Sequence, residues 1–221
     1  METDFFISLL TIIGIDIILG GDNAIVVALA CRNLPKEIRN RAIVLGIGLA
    51  LITRMSLTVV AVQLLEIPFL LAISGSLLVY IAYSLLSDQT NNRDIEGGTN
   101  LWSAIKSILI ADLVMGFDNV IAVAGAAHGD HLLVMIGLLV SVPIIIWGSK
   151  LILTVFDRFP IIVYLGAGIL AYTASRMITH EEMLSPLFSQ HPLFTFAFKI
   201  VIIIGVILTG ALRMKYTKVI K

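Results

Sequence analysis

Apolar residues in this chain come in runs of about 20, broken by short polar stretches. A helix of that length crosses the hydrocarbon core of a bilayer. Seven such runs lie at roughly 5–27, 42–62, 67–87, 102–126, 132–156, 160–179 and 194–213. They predict an all-α membrane protein with seven transmembrane helices, in a single transmembrane domain over residues 1–221. The longest polar interruption, SDQTNNRDIEGGTN at 87–100, divides the chain into two related parts.

The relation lies in the polar residues that interrupt the runs. Residues 16–25 read DIILGGDNAI and residues 112–121 read DLVMGFDNVI. Each has an Asp followed six residues later by Asp-Asn, and the copies are offset by 96 residues. At the same offset Arg54 matches Lys150; Pro68 matches Pro160 and Tyr80 matches Tyr172 at an offset of 92. Repeat 1 covers about 5–87, the linker 88–100, repeat 2 about 101–179, and the seventh helix, about 194–213, has no counterpart. Three spans per repeat is an odd number, so the second repeat enters the membrane from the opposite side. The predicted architecture is therefore two inverted three-helix repeats plus one extra helix, an arrangement common in secondary transporters.

Composition agrees with a lipid-solvated chain. Of the 221 residues, 58% are apolar and 14% charged, against about 25% charged in a soluble domain. Fifteen basic residues balance fifteen acidic ones, and no basic cluster suggests a nucleic-acid partner. The lone Cys31 permits no intrachain disulfide. The start, METDFF, has no basic region ahead of the apolar run, so residues 5–30 are expected to be a retained helix rather than a signal peptide. If the spans alternate, eleven of the fifteen Lys and Arg residues fall on one side, including Arg32, Lys36, Arg39, Arg41, Arg158 and Arg213. The excess predicts a cytoplasmic C-terminus and an N-terminus outside.

Charges inside apolar spans are costly and usually functional. The acids are Asp16, Asp22, Asp112 and Asp118, and the bases are Arg54 and Lys150. Fully ionised they sum to −2, which one divalent cation or two protons would neutralise. Asp16 and Asn23, seven apart, share a helix face, as do Asp112 and Asn119. Asp22 and Asp118 are turned about 120° from that face and lie about 9 Å along a straight helix from the first acid. Gly20, Gly21 and Gly116 between the acids are candidate helix breaks that would expose backbone carbonyls. Carboxylate, amide and carbonyl oxygens form a hard site, suited to Mg, Ca or Mn rather than Zn or Cu. The candidate site residues, for a cation or for protons, are Asp16, Asp22, Asn23, Asp112, Asp118 and Asn119, with Arg54 and Lys150 as charge partners. Against this stands a plainer reading, in which single acids only pair with Arg54 or Lys150 and the asparagines only join helices. His128, His131, His180 and His191 read as solvated loop residues. No catalytic motif, phosphate-binding loop or ATPase domain appears, so no enzyme and no resident cofactor is expected, and transport would be gradient-driven.

LGGDNAIVVALA at 19–30 and MGFDNVIAVAGA at 115–126, together with the seven spans, resemble the TerC family of integral membrane proteins over nearly the whole chain. The resemblance implies a bacterial cell-membrane (inner or plasma membrane) protein of the wider LysE-type transporter superfamily. It also implies a role in manganese export, including supply of metal to secreted enzymes, with metal binding by Asp16, Asp22, Asn23, Asp112, Asp118 and Asn119. The expected function is export of a divalent metal, Mn²⁺ foremost, by alternating access, with proton exchange as one coupling. The expected partners are the lipid bilayer and the metal ion; a homo-oligomer or a secretion-related partner stays open. Two alternatives also stay open: an exporter of a small organic solute such as an amino acid, and a non-transporting membrane subunit that docks a partner.

Overall fold

The computed structural model describes residues 2–59, 67–87, 97–126 and 131–219. Every regular element in them is helical: α1 (Glu2–Leu19), α2 (Gly21–Cys31), α3 (Lys36–Val59), α4 (Leu70–Ser87), α5 (Gly97–Ala126), α6 (His131–Arg158), α7 (Ile162–His180), α8 (Ser185–Gln190) and α9 (Pro192–Val219). Among the described residues, α3, α4, α6, α7 and α9 are each long and apolar enough to cross a membrane. The first predicted span is a bent pair: α1 and α2 meet at 42°, and counted together they make a sixth. The predicted span 102–126 falls on α5, which is not one of these six; part of the linker, residues 127–130 and the end of the predicted span 42–62 lie outside the described residues.

Prolines mark several helix starts. Pro35 precedes α3, Pro160 precedes α7 and Pro192 opens α9, positions where a missing N–H costs nothing. Pro143 lies in the interior of a helix, α6, and Pro186 in the first turn of α8. The short α8 between α7 and α9 was not among the predicted elements; its Phe188 stacks on Phe194 with ring centroids 5.5 Å apart.

The helices pack in pairs: α1 on α6, α3 on α5, and α4 on α7, with α9 laid against α4 and α7. The α4–α7 pair is tight. A Cβ on Gly75 would lie 2.7 Å from the Ala174 carbonyl oxygen, so only a hydrogen fits there, the small-residue contact by which membrane helices approach closely. The main apolar core gathers Val26, Leu29, Ile43, Leu78, Ile108 and Leu170. A smaller one joins Ile12 of α1 to Leu133, Val134 and Leu138 of α6.

Both ends of α4 are held by charged side chains from elsewhere. The buried Glu181, just past α7, accepts from the backbone N–H groups of Leu71 (2.9 Å), Ala72 (3.2 Å) and Phe69 (3.2 Å). Arg32 donates to the Leu85 carbonyl at the other end, at 2.6 Å. An anion at a helix N-terminus and a cation at its C-terminus both oppose the macrodipole. Glu181 also fixes the turn into α4, where Phe69 adopts φ 61°, an uncommon conformation for a residue with a side chain.

Candidate functional site

The buried polar residues converge on the middle of the bundle. Asp16, on the last turn of α1 before the bend, is 1% exposed, Arg54 of α3 5% and Asp112 of α5 8%. Arg54 bridges the two acids. Its Nη1 donates to Asp16 Oδ1 at 2.7 Å, and its Nη2 donates to Asp112 Oδ1. The second Asp16 oxygen accepts from Ser141 Oγ of α6, which also lies 2.9 Å from the Leu138 carbonyl oxygen. One acid from each repeat thus shares one guanidinium, and the ionised trio carries −1.

A cavity of about 30 Å³ opens beside this bridge, lined by Asp16, Arg54, Asp112, Ser141 and Asn23 among apolar neighbours. The volume suits a water molecule or a bare ion. Asn23 is 4% exposed, and neither its Oδ1 nor its Nδ2 has a hydrogen-bond partner; Arg54 Nε and the buried Asn119 Nδ2 also lack one. Buried polar atoms in a native protein are nearly all paired. The Asn23 amide thus keeps unused hydrogen-bonding capacity at a cavity whose walls are mostly apolar.

The bend that carries Asp16 and Asn23 depends on glycine. The Gly20 N–H lies 2.6 Å from the Asp16 carbonyl oxygen, and a Cβ on Gly20 would collide with that oxygen. Gly21, by contrast, faces open space. The expected break at Gly116 is corrected: α5 runs without interruption from Gly97 to Ala126. Nothing crowds the Gly116 backbone, since a Cβ there would meet only Leu57 at an ordinary 3.6 Å. A lone glycine costs a helix about 1 kcal/mol, which is too little to break one that packs along its length.

The other predicted residues lie apart from the bridge. Asp22 opens α2, is half-buried, and accepts from Thr173 Oγ1 of α7 rather than lining the cavity. Asp118 lies on α5, but its side chain falls outside the described residues. Lys150 does not join the buried acids: it is exposed and lines a separate cavity with Lys36, Arg39 and Arg158. It lies in the C-terminal third of α6, whereas Arg54 of α3 reaches both acids. Among the described residues, no group of three or more His, Cys, Asp and Glu side chains is arranged to hold a metal. His180 and His191 are exposed, His128 is outside the described residues, and so is the side chain of His131.

Ser141 and Thr173 are the site residues that the sequence did not disclose. Neither has a polar counterpart in the other repeat: the matching positions are Leu45 and Ile81. The only available signal was a hydroxyl in an apolar span at helical spacing, which more often bonds to its own helix.

The surface inverts this pattern. Trp102, Trp147, Leu193, Phe196, Val201 and Ile18 are each more than half exposed, and so broad an apolar exterior needs lipid around it. An apolar sheath around a charged centre, on helices of membrane-crossing length, defines a multi-pass integral membrane protein. The chain belongs to the integral membrane protein TerC family, whose model matches residues 1–218. It is similar to the uncharacterized membrane protein YjbE of Bacillus subtilis (strain 168), with 51% identity over 207 residues, 90% of this chain and 95% of that protein. It is also similar to the UPF0053 inner membrane protein YoaE of Escherichia coli (strain K12), with 27% identity over 186 residues. That match covers 75% of this chain, and the chain spans only 36% of YoaE. No solved structure matches the chain.

Proposed function

We propose that the protein is a secondary transporter of the bacterial inner membrane that exports a divalent metal ion, Mn²⁺ foremost, by alternating access. The observation that carries this reading is the buried Asp16–Arg54–Asp112 bridge beside the unpartnered amide of Asn23. Two carboxylates drawn from two repeats onto one cation form a cation site that holds its own tethered substitute. A divalent ion arriving between Asp16 and Asp112 takes over their oxygens as the guanidinium swings aside. Asn23 Oδ1 and Ser141 Oγ border the same cavity and complete an all-oxygen set, which suits Mn²⁺, Mg²⁺ or Ca²⁺. When the ion leaves, Arg54 returns and spares the acids an unpaired charge in a dry interior. The same carboxylates allow a proton to be carried in exchange.

The packing supports inverted repeats. Exchanging the halves turns the α1–α6 pair into the α5–α3 pair and returns α4–α7 to itself, as a pseudo-twofold axis in the membrane plane requires. The basic residues support a cytoplasmic face at the α2–α3 connection and the end of α6, where Arg39 pairs with Asp157 at 2.5 Å.

An organic-solute exporter is the weaker reading. Both terminal nitrogens of Arg54 already donate to acids, where an organic solute would need them for its own carboxylate. Flux measured with the purified chain in liposomes separates the possibilities, with Mn²⁺, Mg²⁺, Ca²⁺, Zn²⁺ and lysine compared. Saturable Mn²⁺ flux that Asp112→Asn abolishes is the expected result. Lysine flux would favour the organic-solute exporter. No flux of any of these from folded protein would favour a subunit that docks a partner.

A further inference from the structure

A second cavity, of about 580 Å³, lies between the start of α3 and the end of α6. Its walls are two facing helical stripes. Lys36, Arg39 and Ile43 come from α3 at spacings of three and four, and Lys150, Leu153 and Asp157 come from α6 at the same spacings. Such spacing puts each set on one helix face. Arg158 completes the rim, giving four cations and one acid. Arg39 is fixed in place: it donates to Asp157 (2.5 Å), to the Leu34 carbonyl (2.9 Å) and to the Arg32 carbonyl (2.6 Å). Lys150 stands eight residues before the end of α6, about 12 Å along the helix. It therefore sits below the rim, beside the apolar wall of Ile43 and Leu153 and the exposed, lipid-facing Leu151 and Trp147.

We infer that this cavity binds an anionic phospholipid, its phosphate held by Lys36, Lys150 and Arg158 and its acyl chains lying along α6. A net positive pocket between membrane helices, at a membrane surface and with an apolar wall leading into the bilayer, fits a headgroup with tails attached better than a free ion. Arg39 serves as a positioning residue through its clamp on Asp157. A bound lipid would tie α3 to α6, the helices that carry Arg54 and Ser141.

The test uses the full chain in phosphatidylcholine bicelles. It is titrated with short-chain phosphatidylglycerol, short-chain phosphatidylcholine or inorganic phosphate, and the thermal unfolding midpoint is read. Phosphatidylglycerol is expected to raise the midpoint saturably, and the other two to leave it unchanged. Lys150→Gln should weaken the apparent phosphatidylglycerol affinity about fivefold, the factor equivalent to about 1 kcal/mol per basic residue at an anionic surface. Lys199→Gln, on a different face, should not change it. If Lys150→Gln fails to fold, Arg158→Gln carries the same expectation. Equal effects of the two lipids, or an affinity indifferent to the cavity variants, would overturn the proposal. A phosphate response matching that of phosphatidylglycerol would overturn the lipid assignment in favour of a small-anion site.

Discussion

Arg54 and Asp16 lie 38 residues apart in sequence and 2.7 Å apart in the fold, and the other terminal nitrogen of the same guanidinium reaches Asp112, 58 residues further along the chain. One base on α3 therefore ties the first acid of each repeat into a single buried charge group. That group accounts for how three ionisable side chains are tolerated in the centre of an apolar bundle.

Removing the base should destabilise the protein and expose the site. Arg54→Gln leaves two buried carboxylates facing each other, at an expected cost of about 3–5 kcal/mol. It also removes the tethered competitor for a metal. Thermal unfolding in detergent should give a lower midpoint than wild type, and added Mn²⁺ should raise it by more than it raises the wild-type midpoint. Arg54→Lys should keep part of the stability, because an ammonium cannot reproduce the bidentate fork. A Mn²⁺ response in Arg54→Gln no larger than in wild type would count against shared occupancy.

The two places where acids lie should separate under mutation. Asp16→Asn and Asp112→Asn should each abolish Mn²⁺ flux in liposomes. Ser141→Ala removes one hydrogen bond to a charged group, worth about 1.5–3 kcal/mol, and should lower flux severalfold while the chain stays folded. Thr173→Val acts only on Asp22, outside the central cavity, and should change flux less than Ser141→Ala does. The reverse order would move the ion's main site to Asp22.

The two motif glycines should differ. Gly20→Ala places a methyl group against the Asp16 carbonyl oxygen and should disturb the bend, lowering both the unfolding midpoint and flux. Gly116→Ala meets only Leu57, at 3.6 Å, and should be neutral or stabilising by up to about 1 kcal/mol. Similar losses from both would restore a break in α5 during the transport cycle.

Glu181 predicts a purely structural effect. Glu181→Ala removes the acceptor for three backbone N–H groups at the start of α4 and should cost about 1–2 kcal/mol. Mn²⁺ flux at a temperature where the variant is folded should stay near wild type. Loss of flux without loss of stability would put Glu181 on the transport path.

Orientation can be read by labelling. The only native thiol, Cys31, is buried, so introduced cysteines report cleanly. Lys36→Cys should react with an impermeant maleimide only from the cytoplasmic side and His180→Cys only from outside. Labelling of both from one side would contradict the proposed topology.

Much of this molecule is local and was legible in the chain. Long apolar runs have one solution in lipid, a helix that satisfies its own backbone, and α3, α4, α6, α7 and α9 fall where the runs predict them. The duplicated Asp-Asn motif marked Asp16, Asn23, Asp112 and Asn119, because a charge or an amide is conspicuous among leucines and isoleucines. By itself the sequence determined the class of protein and most of its long helices, and it singled out the charged residues inside them. The tertiary structure decided their partners. Arg54 and Lys150 occupy matched positions in the repeats, yet the packing of α1, α3 and α5 brings Arg54 to both acids and leaves Lys150 exposed on α6. It likewise decided that Gly20 bends a helix and Gly116 does not, and that Ser141 and Thr173 support the acids. The physical reason is that helix formation depends on neighbours within one turn, whereas pairing a buried charge depends on groups from different helices, whose distances are set only when the whole bundle packs.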